Sequence, residues 1–290
     1  MSLGFHTISL LLHDEVTATV ELARIGFRSV AIRPRLSGLN PNDSRFAEQM
    51  LRLAETAKQS DVRVVVDAHA PFLHDPCNRQ AVGLASHCDQ EAHAAQNWIE
   101  SLIRATSEFF SSQRDQNVVV FESGFANDDE AAGGLVVNET ELERLAVRID
   151  ALIHQADNAG IRLAIRPRRG NVISRVTHFQ RLQQWLSGPH ELALAADTGQ
   201  MMLNGEFPIG ERLSQIASSL ACVFLTDPET MACEVAGQTA ATHLPGKVDL
   251  RRVVQSLMRE EIHVPLIVQI DGQSERGLAI ARDAWESLNN

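Results

Sequence analysis

The chain has 290 residues, of which 44% are hydrophobic and 22% are charged, as in a globular protein with a large core. This length fits one large α/β barrel or two domains of medium size. The formal net charge of -11 repels nucleic acid phosphates and anionic membranes, so we expect neither as a general partner.

The sequence shows no targeting, membrane or disulfide pattern. The first residues lack a basic region, and the apolar stretch Ile8–Leu12 is too short for a signal core or a membrane span. The cysteines have no CxxC spacing and do not match zinc-finger spacings. We therefore predict a cytoplasmic protein whose thiols are reduced, namely Cys77, Cys88, Cys222 and Cys233.

Short apolar runs alternate with helical patterns along the chain, which predicts parallel strands joined by crossover helices. The predicted strands are Phe5–Leu11, Phe27–Ile32, Val62–Val66, Val118–Phe121, Ile161–Ile165, Leu192–Ala196, Ala221–Leu225 and Leu266–Ile270. The predicted helices cover Glu15–Ile25, the regions around Phe46–Ala57 and Phe179–Leu186, Gln90–Phe110, Leu213–Leu220 and Leu278–Leu288, and the stretches that follow Asn138 and Asp249 as capping residues.

Eight strand–helix pairs in this order predict a closed (β/α)8 barrel, the TIM barrel, as a single domain over residues 1–290. A doubly wound open sheet is the alternative architecture. In a TIM barrel the chemistry lies just past the C-terminal ends of the strands. The polar residues predicted there are His6, Arg33, Arg35, Asp67, His69, Glu122, Arg166, Arg168, Arg169, Asp197, Gln200, Asp227, Gln269 and Asp271.

A short repeat places arginines after two of these strands. The segment Ala31-Ile32-Arg33-Pro34-Arg35 recurs as Ala164-Ile165-Arg166-Pro167-Arg168. The two copies follow strands two and five, so they do not mark a half-barrel duplication. We interpret the repeat as coincidence and keep its arginines as candidate site residues.

Several segments near the predicted strand ends resemble one family. Asp197-Thr198-Gly199-Gln200 is similar to an Asp-Thr-Gly-His segment, and Val223-Phe224-Leu225-Thr226-Asp227 is similar to Val-His-Leu-x-Asp. Leu244-Pro245-Gly246 followed by Val248-Asp249-Leu250 resembles a Gly-x-Gly-x-Val-Asp-Leu segment. Together they resemble the sugar phosphate isomerase/epimerase proteins of the xylose isomerase-like TIM-barrel superfamily, over nearly the whole chain.

The resemblance implies a divalent metal site built from Glu, Asp, His and Glu on strands five to eight. The corresponding residues here are Arg166, Asp197, Phe224 and Gln269, of which Asp197 alone is a good ligand. Two like charges about 4 Å apart repel by roughly 4 kcal/mol at an effective dielectric of 20, so a guanidinium disfavours a cation there. We therefore predict that the family metal is absent and that the protein uses no other cofactor.

The resemblance implies a sugar, sugar phosphate or sugar acid as the ligand. We predict that Arg166, Arg168, Arg33, Asp197, Gln200, Asp227 and Gln269 bind it. Glu122 and His69 are the candidate catalytic acid or base, and the alternative for each is a hydrogen-bonded residue at the barrel mouth without a catalytic role. Arg166 has two alternative roles: it binds a carboxylate or phosphate, or it fills the lost metal site and neutralises Asp197.

Two functions stay open at this stage. The first is a divergent, metal-independent sugar isomerase or epimerase, and the second is a non-catalytic ligand-binding or scaffold protein on the same barrel. A DNA endonuclease, also found in this superfamily, is disfavoured by the acidic charge. Barrels of this family often associate as dimers, so the resemblance also implies a homodimer.

Overall fold

The computed structural model describes residues 2–10, 12–35, 39–41, 43–69, 83–110, 117–125, 138–188, 191–227, 248–270 and 276–289. Eight parallel strands form a closed barrel in chain order, which confirms the predicted (β/α)8 fold and rules out the open sheet. The strands are β1 (Ser2–His6), β2 (Ser29–Ile32), β3 (Arg63–Asp67), β4 (Val118–Phe121), β5 (Arg162–Ile165), β6 (Ala193–Asp197), β7 (Leu220–Leu225) and β8 (Pro265–Val268).

Helices lie between the strands, as expected for parallel pairs that need crossover connections. Those within the described residues are α1 (Glu15–Ile25), α2 (Phe46–Gln59), α3 (Asp89–Phe109), α4 (Glu139–Asn158), α5 (Val176–Gln183), α6 (Thr198–Leu203), α7 (Ile209–Gln215), α8 (Leu250–Arg259) and α9 (Gly277–Asn289). None of the helices in this described part is both long and apolar enough to cross a bilayer.

The chain divides into two compact units, which are described separately below. Unit one comprises residues 1–32, 55–64 and 196–290, and unit two comprises residues 33–54 and 65–195. In unit one, β1 pairs in parallel with β2 and β8, and β8 also pairs with β7. In unit two, β4 pairs with β3 and β5, and β5 pairs with β6.

The strands are almost wholly buried, as parallel strands covered on both faces must be. Valine and phenylalanine fill β4, and all four of its residues are buried. The prediction of a single domain over residues 1–290 stays a prediction.

The predicted first strand, Phe5–Leu11, was wrong at its C-terminal end. β1 ends at His6, and Thr7–Ser9 form a 3-10 turn. The His6 Nδ1 atom accepts a hydrogen bond from the Ile8 backbone N–H at 3.1 Å, which stabilises this turn. An apolar run does not distinguish a strand from a buried turn. Leu10 lies beyond the end of β1 and is nevertheless fully buried.

The side chains that begin the predicted helices do cap them. The Asn138 side chain accepts from the Thr140 backbone N–H at the start of α4, and Asp249 accepts from Arg252 at the start of α8. The predicted bounds of the helix Leu213–Leu220 were wrong, because α7 covers Ile209–Gln215 and Leu220 already begins β7.

Candidate ligand site

Two arginines share one buried carboxylate in unit two. Arg33 follows β2, and its Nε and Nη2 atoms donate to Asp67 Oδ2 at 3.0 and 2.7 Å. Arg166 follows β5, and its Nη1 atom lies 3.7 Å from the same oxygen. The side chain of Asp67 is 1% exposed, and those of Arg33 and Arg166 are 7% and 6% exposed. The repeated segments of the sequence therefore bring their first arginines to a single acceptor.

A second carboxylate lies beside the third arginine. Arg168 Nη1 donates to Glu122 Oε1 at 3.2 Å and lies 3.4 Å from His69 Nε2. His69 Nδ1 lies 3.5 Å from Glu122 Oε2, and the His69 backbone N–H donates to Asp67 Oδ1 at 3.0 Å. These contacts join two groups into one network, called the arginine cluster below: Arg33, Asp67, His69, Glu122, Arg166 and Arg168.

Burial and the charges of the arginine cluster together set the protonation of its two titratable candidates. Burial lowers the pKa of His69 to about 4, with Arg33 and Arg168 acting in the same direction, so this imidazole is neutral at pH 7. Burial alone would raise the pKa of Glu122, but Arg168, His69 and Arg166 outweigh it and lower that pKa to about 2. Glu122 is therefore a carboxylate at any physiological pH.

Two loops hold Glu122 in place. Asn171 Nδ2 donates to Glu122 Oε2 at 3.3 Å, and the Ile173 N–H donates to Ser123 Oγ at 3.0 Å. Gly124 has a φ of 91°, and its Cα atom lies 2.1 Å from where a Cβ on Gly83 would be. This close backbone approach admits no side chain at either glycine.

Unit one holds the predicted residues at the C-terminal end of β6 and just after it. Asp197 caps α6: its Oδ1 atom accepts from the Gln200 backbone N–H at 3.0 Å and from the Thr226 hydroxyl. Thr198 Oγ1 donates to the Thr226 carbonyl at 2.7 Å. Asp197 and Gln200 are 2% and 6% exposed, so the structure buries both in a hydrogen-bonded capping arrangement.

The predicted residues at the ends of β7 and β8 also lie in unit one. Phe224 is fully buried, and its ring centroid lies 6.1 Å from that of His6. Gln269 is 4% exposed, and its backbone N–H donates to the Leu225 carbonyl at 3.2 Å. Asp227 follows β7 and is partly buried.

The structure thus brings five predicted site residues together in unit two, and Asp67 is the acceptor that joins them. Reasoning from the sequence missed Asn171, which carried no detectable signal because it lies in an irregular loop. It also missed α6, although the Asp197-x-x-Gln200 spacing is that of a capping box. Asp271 and the segment Leu244-Pro245-Gly246 lie outside the described residues.

The sequence matches the family model of the xylose isomerase-like TIM barrel over residues 20–288. The chain belongs to this family. No curated protein matches the sequence of this xylose isomerase-like barrel.

Solved structures share the fold of this xylose isomerase-like barrel at low sequence identity. An L-ribulose 3-epimerase has 14% identity and a TM-score of 0.72, over 99% of this chain and 93% of that protein. A 3-keto-D-glucoside 4-epimerase from E. coli has 12% identity and a TM-score of 0.73, over 100% and 99%. A D-psicose 3-epimerase, solved in the presence of D-fructose, has 12% identity and a TM-score of 0.71, with both chains fully covered. These similarities establish the fold.

The residues at the metal positions implied by the family resemblance do not fit a divalent cation. Arg166 offers a positive charge and no lone pair, and Phe224 offers a hydrocarbon ring against His6. Asp197 Oδ1 already accepts two hydrogen bonds, so one oxygen of the remaining carboxylate is engaged. Among the residues that the structure describes, no group of three or more His, Cys, Asp or Glu is arranged to hold a metal ion.

Proposed function

We propose that this xylose isomerase-like barrel binds an acidic carbohydrate, a sugar acid or a sugar phosphate, at the arginine cluster and without a metal ion. The observation that carries the proposal is the convergence of three guanidinium groups on two carboxylates at the C-terminal ends of the strands. Guanidinium groups bind carboxylate and phosphate oxygens with paired, charge-assisted hydrogen bonds. The sugar epimerases that share the fold support a carbohydrate as the rest of the ligand.

The position of the arginine cluster also supports this proposal. In TIM barrels, ligand sites lie where these residues lie, just past the strands' C-terminal ends. Arg168 is the most exposed of the three arginines, at 24%, so it is the one that a ligand reaches from solvent. Arg33 and Arg166 lie deeper and are oriented in advance by Asp67, which lowers the entropic cost of binding.

Calorimetry of Arg166→Gln tests the binding proposal, with Arg162→Gln as the matched control at the opposite end of the same strand. Arg162 is exposed at the start of β5, and its loss leaves the cluster intact. We expect Arg166→Gln to weaken binding of D-glucuronate or glucose 6-phosphate by about tenfold or more, and Arg162→Gln to leave it unchanged. Equal affinities for acidic and neutral sugars in the wild type would refute the proposal.

The bound sugar is either converted by the protein or only bound. The pKa values favour the second candidate, binding without catalysis. A general base works best when its pKa lies near the working pH, but the pKa values of Glu122 and His69 are about 2 and about 4. A catalytic role would require Glu122 or His69 to take a proton from carbon while Arg166 stabilises the developing oxyanion. Incubating sugar acids and sugar phosphates in D2O separates the candidates, because isomerisation or epimerisation by proton transfer puts deuterium on carbon.

A further inference from the structure

An exposed aromatic side chain lies in the same loop as Glu122 of the arginine cluster. Phe125 is 50% exposed and follows Glu122 by three residues, in the loop after β4. Half of a phenylalanine surface left in water forgoes apolar burial worth on the order of 1 kcal/mol. Single exposed apolar residues are common, so the position of this ring has to supply the rest of the argument.

The backbone holds Phe125 in a defined position. Phe125 forms an isolated antiparallel bridge with Asn171, and the Val172 N–H donates to the Gly124 carbonyl at 3.1 Å. A Cβ on Gly170 would lie 3.8 Å from Cδ1 of the Phe125 ring. The ring therefore rests near a glycine, which has no side chain to cover it.

The same loop pair ties this ring to the charged groups. Asn171, which bridges to Phe125 through its backbone, donates through its side chain to Glu122 at 3.3 Å. Glu122 in turn accepts from Arg168 at 3.2 Å. An apolar surface and an ionic network thus belong to one hydrogen-bonded pair of loops within unit two.

A cyclic sugar acid has the matching chemistry. One face of its ring presents C–H groups, which pack against the negative face of an aromatic ring, while its hydroxyl and acidic groups project from the ring edge. We infer that Phe125 is the platform for the ring of a cyclic acidic sugar whose anionic group binds the arginine cluster. Phe125 is then a specificity-determining residue, and this inference rests on the proposed function.

The inference predicts a difference between two probes of equal charge. D-Glucuronate has a ring with an apolar face, whereas D-gluconate is an open chain that carries the same carboxylate. We expect Phe125→Ala to weaken glucuronate binding by about tenfold and gluconate binding by less than about threefold. We expect Phe125→Trp to bind glucuronate within about threefold of the wild type, because it keeps an aromatic face.

Trp185→Ala is the matched control. Trp185 is an aromatic residue of the same unit with 39% exposure, and it lies after the C-terminal end of α5, which leads back to the start of the next strand. We expect its removal to change neither affinity. Calorimetry measures all four proteins with both probes, and circular dichroism verifies that each variant is folded.

The outcomes separate this inference from the proposed function. If glucuronate binding depends on Arg166 while Phe125→Ala behaves like Trp185→Ala, the platform is refuted and the binding proposal stands. If Phe125→Ala weakens the binding of glucuronate and gluconate equally, the aromatic ring does not select a cyclic sugar and the inference is likewise refuted. If the wild type binds neither probe, the inference is refuted, and binding of glucose 6-phosphate then decides whether the proposed function stands.

Discussion

At the scale of single residues, we expect Asp67 to stabilise the fold more than an exposed ion pair does. Its carboxylate is 1% exposed and accepts two hydrogen bonds from Arg33. We expect Asp67→Asn to lower the free energy of unfolding by about 3 to 5 kcal/mol, because it leaves buried guanidinium charge uncompensated.

The matched control for Asp67 is the exposed pair Arg45–Asp43, whose side chains are 70% and 29% exposed. We expect Asp43→Asn to leave the free energy of unfolding almost unchanged, because solvent screens an exposed ion pair. Urea denaturation measures both variants. Similar losses for the two would show that the buried pair contributes no more than a surface pair.

A pH titration tests the state of His69. Its pKa is about 4 in the folded protein and about 6.5 in an unfolded chain, so the unfolded state binds more protons between these values. The free energy of unfolding should therefore fall as the pH drops from 6.5 to 4, by on the order of 3 kcal/mol. The pKa of about 2 for Glu122 adds a further loss below pH 4.5.

His69→Gln should flatten the upper part of that pH dependence and weaken the lower part, because His69 is one of the groups that lower the pKa of Glu122. The control is the same substitution at His93, an exposed position of α3. An NMR titration in which the His69 ring protonates near pH 6.5 would contradict the prediction.

At the scale of elements, the contact between Gly83 and Gly124 joins the loops that follow β3 and β4. We expect Gly124→Ala to be costly for two reasons, a φ of 91° and a Cβ only 2.4 Å from the Gly83 Cα. Gly205→Ala isolates the first reason, because its φ is 69° and nothing lies within 4 Å of the added Cβ.

Thermal or urea unfolding should show a loss of about 1 to 2 kcal/mol for Gly205→Ala and a clearly larger loss for Gly124→Ala. Gly83→Ala adds the clash without a positive φ, and its loss of stability should also be larger than that of Gly205→Ala. Equal effects at Gly124 and Gly205 would mean that the two loops separate without cost.

Elements with strong local signals were predictable from the sequence. α1 has the predicted bounds Glu15–Ile25, because Asp14 caps its start and Gly26 permits its end, and β4 has the predicted bounds Val118–Phe121. The loop holding Asn171 was not predictable, because its contacts with Ser123 and Gly124 join chain segments about 50 residues apart and leave no periodic pattern.

The candidate site was predictable in its members and not in its pairing. The rule that ligand sites follow barrel strands selected Arg33, His69, Glu122, Arg166 and Arg168 without coordinates. That Arg33 and Arg166 would meet on one oxygen of Asp67 depends on strand register and side-chain rotamers, which no spacing in the sequence reveals.

At the scale of the whole molecule, we predict that the purified protein contains no stoichiometric divalent metal. Elemental analysis before and after dialysis against manganese, magnesium and zinc measures this directly. A metal that binds only the folded state would raise the melting temperature, so we also expect no shift on adding manganese. An acidic sugar that raises the melting temperature is the positive control. Stoichiometric metal would contradict the prediction and restore a metal-assisted mechanism.

The homodimer, the cytoplasmic location and the lack of a nucleic-acid partner also stay predictions.

The carboxylate shared by Arg33 and Arg166 limits which substitutions position 166 tolerates. A single change of Arg166→Glu, toward a metal ligand, would place a second carboxylate near Asp67 and leave Arg33 to balance both. Neighbouring buried carboxylates disfavour joint ionisation, so this intermediate would be destabilised before any cation could bind. We therefore expect a single substitution of Arg166 toward a metal ligand to destabilise the fold.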